Sequence, residues 1–205
     1  MKNKNHDITV SRNFNQNLLY NFTKNIFIMK KIITFLSIVL IGANFLNGQT
    51  KEEIAQSIER IEKISKLESP KSTSVASLDN LTVNIGEVAL ESTNITPLLQ
   101  NLYYRSIGET KDGVADVTIK KPSLEECKEL ATRILKQTQK IQEISALVPN
   151  VTSETSSIKN PLKLPKILSS LNYAKTAISL LGEESLFQAK AIKNIIGTIS
   201  SGNNL

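Results

Sequence analysis

Apolar residues recur every three or four positions along most of the chain, which is the period of an amphipathic helix. The first such segment, residues 51–69, carries four isoleucines and a leucine at this spacing and stops before Pro70. The second covers about residues 74–106. Eight of its residues follow one another at alternating steps of three and four and so form one line along the helix, which we call a seam; seven of them are apolar and Ser92 is the exception. Both segments are predicted to be helices, and Pro97 is expected to kink or restart the second one.

The third segment begins with the clearest start signal in the sequence. Ser123 and Glu126 have the spacing of a capping box, in which each side chain bonds the backbone N–H of the other residue. Six apolar seam positions follow, as far as Val148, and Gln137 occupies the one seam position that is not apolar. Pro149 is expected to close this helix, because proline cannot continue the hydrogen-bond ladder.

The last segment, about residues 164–200, has an apolar face that changes position near Gly182. The apolar residues before this glycine, as far as Leu181, share one face of a helix. Those after it follow a shifted face formed by Ala189, Ile192, Ile196 and Ile199. The shift indicates either a helix break at Gly182 or a change of phase within one long helix.

Polar connectors separate the helical segments. Connector 107–121 is long for a compact bundle, has turn signals at Gly108 and Gly113, and alternates apolar and polar residues over 117–119, which permits a short extended stretch. Residues 150–161 form a second connector, rich in Ser and Thr. Three long helices and a shorter one predict an all-α fold, an elongated antiparallel up-down bundle of about four helices.

The N-terminal part of the chain has the features of a secretory leader. Lys30 and Lys31 precede a dozen apolar residues (32–43), and Gly48 provides a small residue before an expected cleavage at Gln49. The apolar run is shorter than the roughly 20 residues that a membrane span needs. An uncleaved anchor is therefore the weaker interpretation.

The leader divides the chain into three predicted parts. Residues 1–28 are polar and precede a second methionine, Met29, so we expect them to lie outside the true translation start or to be disordered. Residues 29–48 are the predicted signal peptide, and residues 49–205 a single helical-bundle domain. This organisation predicts export to the periplasm or the cell exterior, with no stable membrane span after signal cleavage.

The basic charge of the chain belongs mainly to the leader. The whole sequence has a net charge of +6, but six of its 25 Lys and Arg and only one of its 19 acids precede residue 49. The remainder holds 19 basic and 18 acidic residues, so its balance is +1. A near-neutral body has no broad positive field to attract phosphates, and we expect no nucleic-acid binding.

The composition also excludes several chemistries. The only histidine, His6, lies outside the bundle, which rules out Ser-His-Asp and Cys-His catalysis and the Glu-x-x-His ligands of di-iron bundles. One cysteine and scattered carboxylates do not form a zinc site, and there is no phosphate-binding or dinucleotide-binding glycine motif. We expect no enzyme activity, no metal and no cofactor, although chemistry based on carboxylates alone stays open.

Tyr103, Tyr104 and Arg105 are the candidate contact for a partner or ligand. They end the second segment beside the long connector 107–121, where two aromatic rings could stack on a sugar or a base. The alternative is that the rings cover the core and turn their hydroxyls outward.

Three other groups have a simple structural interpretation. The glutamates of residues 125–129 lie at a helix start, where acids are favourable. Cys127 holds a seam position, which is typical of a small buried core residue rather than a reactive thiol. The three lysines of residues 159–166 are expected to be a solvated end.

These observations predict a non-enzymatic helical scaffold or protein-interaction module. A protein partner is expected, and the regular seams would also allow a homo-oligomer. The alternative is a periplasmic or extracellular binding protein that holds a small or lipidic ligand between its helices. A cavity beneath Tyr103 and connector 107–121 would favour that alternative, whereas a filled core would favour the scaffold.

Overall fold

The computed structural model describes residues 51–201, and these form an all-α four-helix bundle, as predicted. The predicted extension, signal peptide and cleavage site, all within residues 1–49, lie outside the described residues. The helices are α1 Lys51–Ser65, α2 Ala76–Ile107, α3 Leu124–Ser156 and α4 Leu164–Ser201.

Helix α1 is less than half the length of the others and ends earlier than predicted. Two i,i+4 ion pairs support its exposed face, Glu59 with Lys63 and Glu62 with Lys66. The helix ends at Ser65 rather than near residue 69. Residues 66–75 then lead into α2 without a helix of their own.

Both internal prolines are accommodated: the helix end predicted at Pro149 is wrong, and α2 does not restart at Pro97. Helix α2 is continuous through Pro97, and α3 continues past Pro149 to Ser156. Each proline is exposed, so its ring occupies no position in the core. On the opposite side of α3, Val151 is buried and extends the seam, which keeps the last turns packed.

Helix α4 is one uninterrupted helix, with no break at Gly182, and its buried face does not change phase. Buried residues continue from Leu181 through Ser185, Gln188 and Ile192 in alternating steps of four, three and four. Ala189, Ile196 and Ile199 are only partly buried, at the edge of this face. The predicted shift was wrong because the buried face continues through three polar residues, Glu184, Ser185 and Gln188.

Ion pairs between side chains show that α2 and α3 are antiparallel. Arg105 and Glu91 of α2 pair with Glu126 and Arg133 of α3, so the numbering rises along α2 as it falls along α3. Helices α2, α3 and α4 each pack against the other two, and α1 packs against α2 and α4. No helix of the described part, residues 51–201, is long and apolar enough to cross a membrane.

An aliphatic cluster fills the end of the bundle where α3 begins, and we call it the Cys127 cluster. Cys127 is fully buried, as predicted, and its thiol is free. The buried members of the cluster are Ile54, Ile95, Leu99, Leu102, Tyr103, Cys127, Leu130, Ile134, Ala191, Ile192 and Ile195.

Candidate functional site

The apolar seams of the three long helices are interrupted by polar residues that meet at one level of the bundle. Ser92 of α2, Gln137 of α3 and Gln188 of α4 each occupy a position in the apolar seam of their helix, and the side chain of Gln188 contacts both of the others. We call this region the polar layer. Its members are at most 4% exposed: Ser57, Ser92, Thr96, Gln137, Thr138, Glu184, Ser185 and Gln188.

Gln188 is the centre of the hydrogen-bond network that links α2, α3 and α4. Its Oε1 accepts a hydrogen bond from Nε2 of Gln137 at 2.8 Å, and its Nε2 donates to Oγ1 of Thr96 at 2.9 Å. The same Nε2 lies 3.3 Å from Oγ of Ser92. Buried polar groups are costly unless they are bonded, so this network holds the three helices in one register.

A second contact in the layer joins α3 and α4 directly. The hydroxyl groups of Thr138 and Ser185 lie 2.6 Å apart, and the Thr138 hydroxyl also donates to the carbonyl of Ile134. Oε1 of Gln137 is buried and has no hydrogen-bond partner among the described residues. The layer is therefore nearly, but not fully, satisfied by its own side chains.

Glu184 is the one fully buried carboxylate of the described part, and it joins α1 to the layer. Its Oε1 accepts hydrogen bonds from the hydroxyls of Ser57 at 2.6 Å and Thr96 at 2.9 Å. Its Oε2 pairs with Nε of Arg60 at 3.0 Å. The guanidinium of Arg60 also lies over the ring of Phe187, 5.6 Å from the ring centroid, so the Arg60 side chain seals the layer on the α1 side.

Two opposing effects act on the charge of Glu184. Burial raises the pKa of Glu184 above its ordinary value, because removal from water disfavours the carboxylate. The hydroxyls of Ser57 and Thr96, together with Arg60, act in the opposite direction, and burial has the larger effect. This arrangement can hold or release a proton, but it presents no exposed surface to a substrate.

The three candidate contact residues lie side by side at the end of α2 but have different surroundings. Tyr103 is 7% exposed and belongs to the Cys127 cluster. Tyr104 is half-buried and packs edge-on against it, with ring centroids 5.3 Å apart. Burial raises the pKa of Tyr103, which agrees with a structural position.

Arg105 ties the long connector to the start of α3. Its Nη1 pairs with Oε1 of Glu126 at 2.9 Å, and its Nε donates to the carbonyl of Lys120 at 3.0 Å. Glu126 also completes the predicted capping box with Ser123. Arg105 and these bonds lower the pKa of Glu126 to about 2. Arg105 therefore already has an internal partner.

The connector has a defined shape that differs from the prediction. Its one antiparallel bridge joins Glu109 and Ala115, and Gly108 and Gly113 adopt positive φ angles of 72° and 77°. The extended stretch expected at 117–119 is instead a turn, in which the Asp116 carboxylate accepts bonds from the backbone and hydroxyl of Thr118.

The Glu184 group was not predicted from the sequence. Ser92 and Gln137 could be recognised as polar residues at positions where the pattern is otherwise apolar. Glu184 lay next to an apparent change in the apolar face and could not be recognised in this way. The signal that could have identified it is the spacing of three and four residues along α4, which continues without a break if polar residues are allowed to occupy buried positions. No three His, Cys, Asp or Glu side chains within residues 51–201 lie close enough together to hold a metal ion.

Comparison of the chain with protein-family models, with curated proteins and with solved structures gives no match.

Proposed function

We propose that the chain is an exported, non-enzymatic helical scaffold or protein-interaction module. The observation that carries this proposal is the state of Glu184. It is the described carboxylate best suited to chemistry by its burial and raised pKa, yet it is fully enclosed and its oxygens are occupied by Ser57, Thr96 and Arg60. A buried polar network of this kind is a device that specifies one register among competing packings.

The outer face of α2 is the surface on which we place the partner. Val83, Leu90 and Leu98 are 60%, 64% and 45% exposed and follow one another at steps of seven and eight residues. That spacing puts them along one stripe of the helix. Single exposed apolar residues are ordinary, but a stripe along one helix is a typical contact surface for a partner helix.

The test is site-specific photo-crosslinking in cells of the source organism. A photo-reactive residue at position 90 should give one discrete adduct, whose partner must then crosslink back to this chain. The matched control is position 129 of α3, where Glu129 is exposed and polar and should give no adduct. An adduct of twice the chain mass would identify a homo-oligomer. No adduct from any position of the stripe would defeat the proposal.

The alternative function, a carrier of a small or lipidic ligand, has less support. It requires space beneath Tyr103 and the long connector. The side chains that lie there, including Leu99, Leu130 and Ile195, form the contiguous and nearly fully buried Cys127 cluster. Native mass spectrometry of the purified protein separates the two hypotheses, since a carrier would retain a bound ligand.

Export is part of the proposal and rests on the sequence of the leader. We propose that residues 29–48 act as a signal peptide and that an elongated up-down bundle is released after cleavage. Mass spectrometry of the exported protein should find a first residue at or within a few positions of Gln49. An intact N-terminus at Met29 in a membrane fraction would contradict this.

A further inference from the structure

The turn between α3 and α4 presents leucines to solvent at one end of the bundle. Leu162 is 85% exposed and Leu164 is 40% exposed, and prolines 161 and 165 flank them. The turn has a fixed shape, because Asn160 accepts hydrogen bonds from the backbone N–H groups of Leu162 at 3.0 Å and Lys163 at 3.1 Å. The leucines therefore point outward from a pre-organised turn.

Within the turn itself every charged side chain is basic. Residues 157–167 contain Lys159, Lys163 and Lys166 and no acid. Nζ of Lys163 lies 3.4 Å from the carbonyl of Ser74, so the end of the connector between α1 and α2 lies beside this turn. That connector carries Lys71 and Lys66, of which Lys66 pairs with Glu62, and the other acids of the same region are Glu68, Asp79 and Glu154.

The opposite end of the bundle provides an internal comparison. Connector 108–121 also exposes apolar side chains, Val114 and Val117, and Val117 is fully exposed. It carries three acids and three lysines, so its formal charge is zero. The two ends share exposed apolar residues and differ in charge.

From this difference we infer that residues 159–166 are a docking site for a bilayer surface that contains anionic lipid. Leu162 and Leu164 enter the boundary between headgroups and acyl chains, and Lys159 and Lys166 remain at the level of the lipid phosphates. Two weak signals of this kind act together at membranes: each buried methylene group contributes about fourfold and each lysine about fivefold to the partition coefficient. The inference does not depend on the proposed partner of α2.

The absence of tryptophan from the sequence makes a local test feasible. The chain that begins at Gln49, the product of the proposed cleavage, has with Leu162→Trp a single tryptophan in the proposed docking site. The same chain with Val117→Trp is the matched control at the other end. With vesicles of phosphatidylcholine and phosphatidylglycerol, the emission of the first variant should shift to the blue and be quenched by brominated lipid. The control variant should show neither effect, and vesicles of phosphatidylcholine alone should shift neither protein.

A second variant tests the lysines. Lys159→Gln and Lys166→Gln in the Leu162→Trp chain change two exposed side chains, so helical circular dichroism should be unchanged. Partitioning should fall about 25-fold, from about fivefold for each lysine. The inference is overturned if Leu162→Trp shows no shift with anionic vesicles, which would leave a protein as the occupant. It is also overturned if both tryptophan variants shift equally, or if loss of the lysines has no effect.

Discussion

The Cys127 cluster and the polar layer are neighbouring levels of the same bundle, built on the same heptad spacing with opposite chemistry. In the Cys127 cluster the seats are aliphatic, and burial of apolar area holds the helices together without fixing their relative positions closely. In the polar layer the buried side chains are joined by specific hydrogen bonds, such as those of Gln188 with Gln137 and Thr96. The Cys127 cluster therefore holds the helices together, and the polar layer fixes their positions relative to one another.

The largest effect should come from placing a charge in the aliphatic level. Ile134 is 2% exposed and belongs to the Cys127 cluster. Ile134→Asp should cost about 4 kcal/mol or more, because it buries a carboxylate without a partner, and the bundle should be largely unfolded at 25 °C. The exposed Glu129 is the control, and its change to Ala should cost about 0.5 kcal/mol or less. Equal thermal shifts of the two variants would show that the aliphatic level is wrongly placed.

A smaller effect is expected from the polar layer when one partner is removed. The side chain of Arg60 is 16% exposed and pairs with the fully buried Glu184. Arg60→Ala should destabilise the bundle by about 2 kcal/mol, since the carboxylate loses its cation but keeps its two hydroxyl donors. Arg60→Ala combined with Glu184→Gln should recover part of the loss in urea unfolding. If the double variant is no more stable than the single one, the ion pair is not the reason for the loss.

The next prediction concerns the pH dependence that separates the two levels. Burial raises the pKa of Glu184 in the folded chain above the ordinary value of 4.5, so the folded state binds its proton more tightly than the unfolded state. The stability that this provides is complete below pH 4.5 and is lost as the pH rises through the folded pKa. Relative to Glu184→Gln, the wild type should therefore lose stability on going from acid to neutral pH.

The Glu184→Gln reference is needed because other carboxylates titrate in the opposite sense. Glu126, whose pKa is lowered to about 2, contributes stability that is lost as the pH falls below 4.5. Taking the difference between wild type and Glu184→Gln cancels that contribution. A difference that does not vary between pH 4 and pH 8, measured by urea unfolding, would show that the environment of Glu184 is wrongly described.

The smallest effect should come from the connector, which lies outside both levels. Replacement of residues 109–118 by a short Gly/Ser linker leaves Arg105 and Glu126 in place. The melting temperature should change by no more than about 4 °C, equivalent to about 1 kcal/mol for a domain of this size. Collapse of the bundle, seen as a loss of helical circular dichroism, would mean that the connector itself holds the helices together.

Much of the fold could be predicted because a buried seam leaves a direct trace in the sequence. The helices, their capping box and the burial of Cys127 all follow from local spacing. The end predicted at Pro149 and the restart considered at Pro97 were wrong because both prolines lie on the exposed side of a helix whose other side is packed in the core. That distinction needs the tertiary packing.

The candidate site was harder to predict for a different reason. Tyr103, Tyr104 and Arg105 were chosen for their chemistry, but whether a tyrosine is a contact residue or a core residue depends on what lies beneath it. Glu184 was overlooked because a glutamate in a helix is normally solvated. Its partners come from α1 and α2, and only the register between helices, which no single segment encodes, places Ser57 and Thr96 against it.

The positions of those partners in the sequence affect the stage of synthesis at which the polar layer can form. Ser57 and Glu184 are separated by 127 residues, so α1 is among the first described segments to be synthesised and its acceptor is among the last. Contacts between residues so far apart in the sequence slow folding, because the loop between them must be closed before the contact is gained. Until the final helix is available, the donors of α1 have no carboxylate to bind and the bundle has no completed register. The connection from Ser57 to Glu184 therefore depends on α4: a chain that ends before Glu184 lacks it and cannot complete the polar layer.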